Sequence, residues 1–330
     1  MVPDLSIFEE TMVYRNVGRV EQHSPLLDSM IERDTPVEEL ADGFLWTEGP
    51  VWIAERNCLL FSDVPANRMY RWSDREGATL YLAPSGYEGA DTSLFREPGS
   101  NGLIRGPGAA IFVADHGNRA IASLDLETRT KTFLATGYDG KKFNSPNDLV
   151  RASNGSIYFT DPPYGLEGLN ASPIKELPFN GVFRLDPDGT VTLLERALSY
   201  PNGILLSPDE RTLYVANSDP ARAIIMAYTL DGSGGLAGRR IFKDFTPFVS
   251  DQKPGLPDGM AIDAQGNLFA TGPGGISVLT PDGTLLGMIS TGTAIANCAF
   301  GDEDGRTLYI AAQHRIARLR TRTVGLEFSK

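Results

Sequence analysis

Short apolar stretches alternate with turns rich in Gly, Pro and Asp from about residue 35 to the end of the chain. Six of these stretches resemble one another, and they read LLFSD, IFVAD, IYFTD, LYVAN, LFATG and LYIAA. Their aromatic and β-branched residues favour strands. Further apolar stretches follow each of them, which gives about four strands in every unit of roughly 40–55 residues. Long helical stretches are missing from this region, so the pattern predicts an all-β fold.

Each repeated unit also begins with an oxygen-bearing side chain, 14 or 15 positions before the end of its apolar pentad. The six residues are Glu48, Asn101, Asn147, Asn202, Asp258 and Asn297. Units that repeat in this way and cannot bury their faces alone must stack into one body. We therefore predict a six-bladed β-propeller with four antiparallel strands per blade.

The two ends of the chain depart from the repeat. The last unit lacks a clear fourth strand, and residues 37–46, VEELADGFLW, could supply it and so close the ring without a free edge. We assign residues 1–34 to a short N-terminal extension that packs on the body, and 35–330 to a single propeller domain. Within the extension, Ser24 could cap a short helix with Pro25 at its first position.

The repeat predicts chemistry as well as fold. The first strand of a propeller blade lies nearest the axis, so the six side chains should form a ring at one mouth of the central channel. Glu48 and Asp258 would supply two negative charges, and Asn147 and Asn202 neutral amide oxygens. Such oxygen ligands favour a hard divalent cation. Each Asn-Gly or Asp-Gly pair taken alone could equally be a turn signal, but a turn does not require Glu48 or the constant offset.

Other residues should lie near the same mouth. The second strands end in Asp63, Asp115, Asp161 and Asn217. The loop from Pro162 to Asn180 is the longest and could act as a lid. Its Tyr164 could cover the pocket or simply pack the loop onto the body. His116 could carry a proton or serve as a hydrogen-bonded residue of the rim.

Composition narrows the range of partners. The net charge of −12 argues against nucleic acid or an anionic membrane as the main partner. Cys58 and Cys298 form neither a disulfide framework nor a zinc motif. No signal peptide and no apolar stretch of membrane-spanning length is apparent, so we expect a cytoplasmic location. The sequence does not indicate an oligomeric state.

Several long motifs resemble one family. They are EGPVW at 48–52, FNSPNDL at 143–149, YPNGILLSPDERTLYVAN at 200–217, LPDGMAIDAQGNLFAT at 256–271 and CAFGDEDGRTLYIAA at 298–312. With these, the chain resembles the SMP-30, gluconolactonase and luciferin-regenerating enzyme family of six-bladed propellers from about Asp42 to Val324. The DHGNR pattern at 115–119 is most similar to bacterial gluconolactonases.

The resemblance implies a divalent cation bound by Glu48, Asn202 and Asp258, with Asn147 contacting the metal or the substrate. Ca²⁺ is the favoured ion, and Mg²⁺, Mn²⁺ and Zn²⁺ are alternatives. It also implies that Asp258 is the catalytic base or proton carrier. Asn101 and His116 would line the substrate pocket together with Asn147 and Tyr164.

One position departs from the family's regucalcin branch. That branch carries an Arg two residues before the Asn equivalent to Asn147, and it binds sugar hydroxyls; this chain has Ser145 there. The substrate of regucalcin therefore cannot be assigned to this chain.

We expect a hydrolase that opens a sugar lactone of the glucono-1,5-lactone type. Two alternatives stay open at this point. One is a related enzyme for other lactones or organophosphates, and the other is a non-catalytic propeller that binds a cation or a partner.

Overall fold

The structure is a computed structural model that describes residues 14–329 of the 330-residue chain. Three strands precede the first blade: β1 (Arg15–Asn16), β2 (Arg19–Gln22) and β3 (Glu38–Asp42). Blade one contains β4 (Thr47–Ile53), β5 (Cys58–Asp63), β6 (Arg68–Ser73) and β7 (Gly77–Leu82). Blade two contains β8 (Ser100–Arg105), β9 (Ala110–Asp115), β10 (Ala120–Asp125) and β11 (Lys131–Ala135). A small hairpin follows, formed by β12 (Gly137–Tyr138) and β13 (Lys141–Lys142).

The remaining four blades continue in chain order. Blade three contains β14 (Leu149–Arg151), β15 (Ile157–Asp161), β16 (Gly181–Leu185) and β17 (Val191–Glu195). Blade four contains β18 (Pro201–Leu206), β19 (Thr212–Asp219), β20 (Arg222–Leu230) and β21 (Leu236–Asp244). Blade five contains β22 (Met260–Ile262), β23 (Leu268–Gly272), β24 (Gly275–Leu279) and β25 (Leu285–Ser290). Blade six contains β26 (Asn297–Gly301), β27 (Thr307–Ala312) and β28 (Arg315–Arg320).

The arrangement confirms the six-bladed β-propeller. Consecutive strands of every blade pair antiparallel. The first strands also contact one another around a closed circle, from β4 through β8, β14, β18, β22 and β26 back to β4. They therefore line the central channel.

The segment before the first blade extends two sheets. Strand β3 pairs antiparallel with β28, so residues from both ends of the chain share blade six. Strand β1 adds to β3, and β2 adds to β25 as a fifth strand of blade five. The described part of the extension is thus integrated into two neighbouring blades by strand pairing.

Helices in the described residues are all short 3₁₀ turns, and the longest has five residues. They span Pro25–Ser29, Ala54–Arg56, Leu169–Ala171, Thr246–Phe248 and Leu326–Phe328. The first begins as its sequence indicates, because Ser24 Oγ accepts a hydrogen bond of 3.3 Å from Leu26 N and Pro25 occupies the first turn.

Apolar side chains fill the gaps between blades. Six buried clusters occur in the part of the chain that the structure describes, and each lies between two neighbouring blades around the ring. Between blades six and one, Trp52 stacks on Tyr309 with ring centroids 5.4 Å apart. Between blades five and six, Leu27 and Ile31 of the N-terminal segment complete the cluster. The blades are thereby fixed relative to one another, and so are the side chains at their inner edges.

Candidate active site

The six ring residues lie where the sequence places them, at the start of each first strand. Glu48, Asn101, Asn202 and Asn297 belong to the strands themselves, whereas Asn147 and Asp258 precede β14 and β22 by two residues. The five other than Asp258 are at most 7% exposed. Asp258 is the one ring residue that is partly exposed.

The glycines that follow four of the ring residues are positions of close approach. A Cβ atom on Gly49 would lie 2.3 Å from the Asn101 carbonyl oxygen, and one on Gly203 would lie 2.0 Å from that of Asp258. Any larger residue would push neighbouring first strands apart. The Asn-Gly and Asp-Gly pairs are thus packing features of the channel, and the simple turn-signal interpretation does not apply here.

Glu48 and Asn297 connect the first and last blades at the ring. Asn297 Nδ2 donates to Glu48 Oε2 at 3.3 Å, across 249 residues of sequence. Gly49 N donates to the same oxygen at 3.1 Å. Burial, and next the negative charge of Asp148, raise the pKa of the Glu48 carboxyl to about 8.

Asp258 lies in an equally acidic environment. Desolvation and then the charges of Glu48, Asp148 and Glu97 raise the pKa of its carboxyl well above the ordinary range. No Lys or Arg is among the main influences on Glu48 or Asp258. Two carboxylates without a cationic side chain beside them match the charge of a divalent cation.

Asn202 presents an unused oxygen in the same region. Its Nδ2 donates to Ser218 Oγ at 3.0 Å, while its buried Oδ1 has no hydrogen-bond partner. Ser218 in turn donates to the carbonyl of Pro257, next to Asp258. The amide is therefore held with its oxygen free, as a metal ligand requires.

The donor set fits a hard cation. It combines the carboxylates of Glu48 and Asp258 with the amides of Asn147 and Asn202, and includes neither thiol nor imidazole. Among residues 14–329, no three His, Cys, Asp or Glu side chains come together as a metal cluster. The amides must therefore take part if the site binds a metal.

Asn101 and His116 contact each other directly. Asn101 Nδ2 lies 3.1 Å from His116 Nε2, and His116 has no exposed surface. The other ring nitrogen, Nδ1, lies 3.4 Å from Glu97 Oε2. His116 thus lies behind Asn101, whose buried Oδ1 has no partner.

Tyr164 lies in the long loop between β15 and β16. It stacks on Tyr200 with centroids 5.7 Å apart and planes 19° apart. Burial and then the charge of Asp258 raise the pKa of the Tyr164 hydroxyl above its ordinary value. Asn170 Nδ2 donates to the Tyr200 hydroxyl at 3.2 Å. The two tyrosines form an aromatic wall beside Asp258.

Ser145, the residue at which the chain departs from regucalcin, holds this loop. Its Oγ donates to the Pro162 carbonyl at 2.6 Å and accepts from Gly165 N at 2.9 Å. Ser145 is fully buried. At the position where the resemblance to regucalcin implies an Arg, this chain has a serine whose hydroxyl holds the loop by two hydrogen bonds.

Polar residues at or near the ends of the second strands support the ring from outside. Asp63, Asp115 and Asp161 end their strands as predicted, whereas β19 continues two residues past Asn217 to Asp219. The carboxylate of Asp161 accepts from Asn144 N and Ser145 N, each at 2.8 Å, and that of Asp63 accepts from Leu45 N and Trp46 N. These backbone groups lie just before Asn147 and Glu48. The side chain of Asn217 accepts from the backbone before Asn202 in the same way. Asp115 instead accepts from Asn118 and Lys131.

Sequence reasoning missed Glu97, Asp148, Tyr200 and Ser218. Asp148 directly follows Asn147 in the PNDL motif, where four of the other five blades carry Gly, so this replacement was a usable signal. Glu97 lies in the connection between β7 and β8, outside the repeat. No pattern in the sequence marks it.

A separate space lies elsewhere in the channel. A cavity of about 440 Å³ is lined by the first strands of all six blades, with Glu327 and its neighbours at the far end. Arg105 and Arg151 contribute to its walls. Most of its lining lies beyond the ring, and it includes none of the substrate-pocket candidates Asn101, His116 and Tyr164.

In the described part of the chain, no helix has the length and apolarity needed to cross a membrane.

Comparisons with known proteins identify the family of the chain. The family described as the SMP-30/gluconolactonase/LRE-like region matches residues 46–314. A gluconolactonase of Zymomonas mobilis is 50% identical over 313 residues, which cover 94% of this chain and 88% of that protein. A pentonolactonase of Haloferax volcanii is 28% identical and covers 80% of each chain. The solved structure of a gluconolactonase from Xanthomonas campestris has a TM-score of 0.79 at 30% identity, covering 94% of this chain and 97% of that one. On this evidence, the chain belongs to the SMP-30/gluconolactonase/LRE-like family.

Proposed function

We propose that this protein hydrolyses a sugar lactone of the glucono-1,5-lactone type, with a divalent cation at the channel mouth. The observation that carries the proposal is the pair of carboxylates, Glu48 and Asp258: the charge of Glu48 raises the pKa of Asp258, and no Lys or Arg is among the main influences on either group. The unpartnered Asn202 oxygen supports the same site. The gluconolactonase and pentonolactonase names of the relatives support the substrate class.

Glu48, Asn147, Asn202 and Asp258 would hold the cation, and Ca²⁺ is the favoured ion. Bound there, a divalent cation would polarise the lactone carbonyl and stabilise the negative charge that develops on its oxygen. The donor set is one of oxygens only, so Mg²⁺ and Mn²⁺ are the nearest alternatives, and Zn²⁺ follows.

Asp258 is the proposed base. Its partly exposed carboxylate lies at the mouth, where it can orient a water molecule and accept its proton as the water attacks the carbonyl carbon. The same carboxyl could return the proton to the ring oxygen when the C–O bond breaks.

The walls of the site suit a polyhydroxylated ring. Asn101 Oδ1 is free to accept a hydrogen bond from a substrate hydroxyl. The stacked Tyr164 and Tyr200 offer an apolar face against which the C–H edges of a sugar ring can pack. Asn147 would bind either the metal or the substrate.

The test is hydrolysis of glucono-1,5-lactone, followed by proton release and corrected for spontaneous opening. Protein stripped of metal should be inactive, and activity should return when Ca²⁺ is added, with Mg²⁺, Mn²⁺ and Zn²⁺ tested separately. Binding of Ca²⁺ measured by calorimetry in the same preparation would separate two failures. Metal binding without turnover on any lactone would favour a non-catalytic propeller, whereas turnover of metal-free protein would remove the cation from the mechanism.

A further inference from the structure

We propose that Glu97 is a positioning residue for the substrate pocket, which acts through His116 to fix the amide of Asn101. In this arrangement Asn101 presents its Oδ1 atom to the ligand as a hydrogen-bond acceptor. The inference deepens the proposed lactone hydrolysis and rests on it for the identity of the ligand. It predicts that the pocket favours lactones carrying a hydroxyl donor on the Asn101 side.

The three side chains form one continuous, buried row. Glu97 is 8% exposed, His116 is fully buried and Asn101 is 3% exposed. Glu97 Oε2 lies 3.4 Å from His116 Nδ1, and His116 Nε2 lies 3.1 Å from Asn101 Nδ2. His116 Nδ1 is buried and has no hydrogen bond within the described residues, and the Glu97 carboxylate at 3.4 Å is the charged group that faces it. The carboxylate of Glu97 is therefore the group that can decide which ring nitrogen carries the proton.

The orientation of Asn101 follows from this choice. A carboxylate accepts hydrogen bonds, so it favours the imidazole tautomer that has its proton on Nδ1. The Nε2 atom of that tautomer is an acceptor, and only the NH₂ group of Asn101 can donate to it. The amide oxygen must then point the other way, and this oxygen is the one that has no partner.

Two loops bring Glu97 to this position. The backbone N–H groups of Arg96 and Glu97 both donate to the Gly165 carbonyl, at 3.1 and 3.3 Å, and Phe95 forms a bridge with Leu166. Gly165 lies so close to His116 that a Cβ atom there would be 2.9 Å from His116 Cβ. The loop after β15 therefore holds Glu97 next to His116.

The tautomer can be measured without any substrate. The chain has three histidines, and comparison with His116→Gln assigns the His116 signals in a ¹⁵N spectrum of the imidazole nitrogens. At neutral pH we expect wild-type His116 as the Nδ1–H tautomer. Glu97→Ala should shift it toward Nε2–H, and Glu97→Gln should preserve it, because the Gln oxygen can still accept. An Nε2–H or doubly protonated His116 in the wild type would overturn the proposal.

Kinetics then test the consequence for the substrate. Glu97→Ala should raise KM for glucono-1,5-lactone about tenfold with little change in kcat, because one substrate hydrogen bond is weakened. KM for δ-valerolactone, which has no hydroxyl groups, should stay the same, and Glu97→Gln should recover most of the loss. The control is Glu167→Ala, which removes an exposed carboxylate from the loop after β15. It should leave KM for both lactones unchanged. Equal effects on the two lactones would mean that Glu97 has a purely structural role and would overturn the proposal.

The two measurements separate the two hypotheses. If the wild type hydrolyses no lactone at all, the proposed function fails, and the imidazole spectra still decide whether Glu97 sets the tautomer. If hydrolysis proceeds but the tautomer is insensitive to Glu97, only the positioning role is lost.

Discussion

The first and second strands of the propeller both bring carboxylate and amide groups to the same end of the channel, but these groups have different surroundings. On the second strand of blade three, both oxygens of Asp161 accept backbone N–H groups. On the first strand of blade four, Asn202 Oδ1 is buried without a partner. The nearby charges differ too, since Arg119 and Lys175 act on Asp161 whereas mainly carboxylates act on Asp258. Similar groups a few ångströms farther from the axis thus support the backbone, and those at the axis are left available for a ligand.

The largest expected difference between the two sets is in catalysis. Asp258→Asn should reduce kcat for glucono-1,5-lactone about 10³-fold, since it removes the proposed base and one negative ligand charge. Asp161→Asn, the same change on a second strand, should retain most of the turnover. Initial rates in Ca²⁺-loaded protein, with circular dichroism to verify folding, would measure both. Turnover like that of the wild type in Asp258→Asn would end its catalytic assignment.

The free energy of unfolding should show the opposite order, with the larger loss from the change at Asp161 and the smaller loss from the change at Asp258. Asp161→Ala leaves the N–H groups of Asn144 and Ser145 buried without an acceptor, which should lower the free energy of unfolding by about 3 kcal/mol. Asp258→Ala should change it by less in metal-free protein, because that carboxyl group is partly exposed and repelled by its neighbours. Urea unfolding of both variants provides the comparison. Coinciding midpoints would show that the distinction between the strands is wrong.

A smaller effect is expected for the amides of blade four. Asn202→Ala should weaken Ca²⁺ binding roughly 10–100-fold, a range typical of residues that tune a metal site. Asn217→Ala should leave the affinity nearly unchanged and lower stability, because Asn217 accepts from Tyr200 N and donates to the Arg222 carbonyl. Calorimetric titration with Ca²⁺ tests this. A larger loss of affinity in Asn217→Ala than in Asn202→Ala would contradict it.

The smallest expected effect is on how steeply the free energy of unfolding depends on pH. Burial raises the pKa of Asp161 to about 7 in the folded protein, so the native state keeps a proton that the unfolded chain releases near pH 4. Between these values the unfolded state binds fewer protons, and stability falls as pH rises, by at most about 1.4 kcal/mol per pH unit for this group. Asp161→Asn should show a shallower fall in metal-free protein. Parallel curves for the two proteins from pH 4.5 to 7.5 would contradict the assignment.

The repeat made most of this architecture predictable. Each blade contributes the same strand order and the same offset between its ring residue and its pentad, so one correct assignment fixed the other five. The N-terminal segment was harder to predict, because its short strands β1 and β2 gain stability only by pairing with blades six and five. The local pattern of apolar residues does not reveal with which blade such a short strand pairs.

The candidate site was predictable only where it follows the repeat. Asn101, Asn147 and Asn202 each occupy the same phase of a blade, whereas Glu97 lies in a connection with no counterpart in other blades. Its position depends on the contact between Phe95 and Leu166, which joins two loops across blades. His116 was expected near the mouth, and its burial behind Asn101 depends on the close approach of Gly165. Contacts of this kind arise from tertiary packing and leave no periodic trace.

The hydrogen bond between Glu48 and Asn297, together with the pairing of β3 and β28, has a consequence for biosynthesis. The ribosome synthesises Asn297 249 residues after Glu48, so the neighbour that completes the surroundings of Glu48 is made long after it. Blade one must therefore wait with an unfinished inner edge until blade six is available. The ring can close only after β28 has been synthesised and has paired with β3.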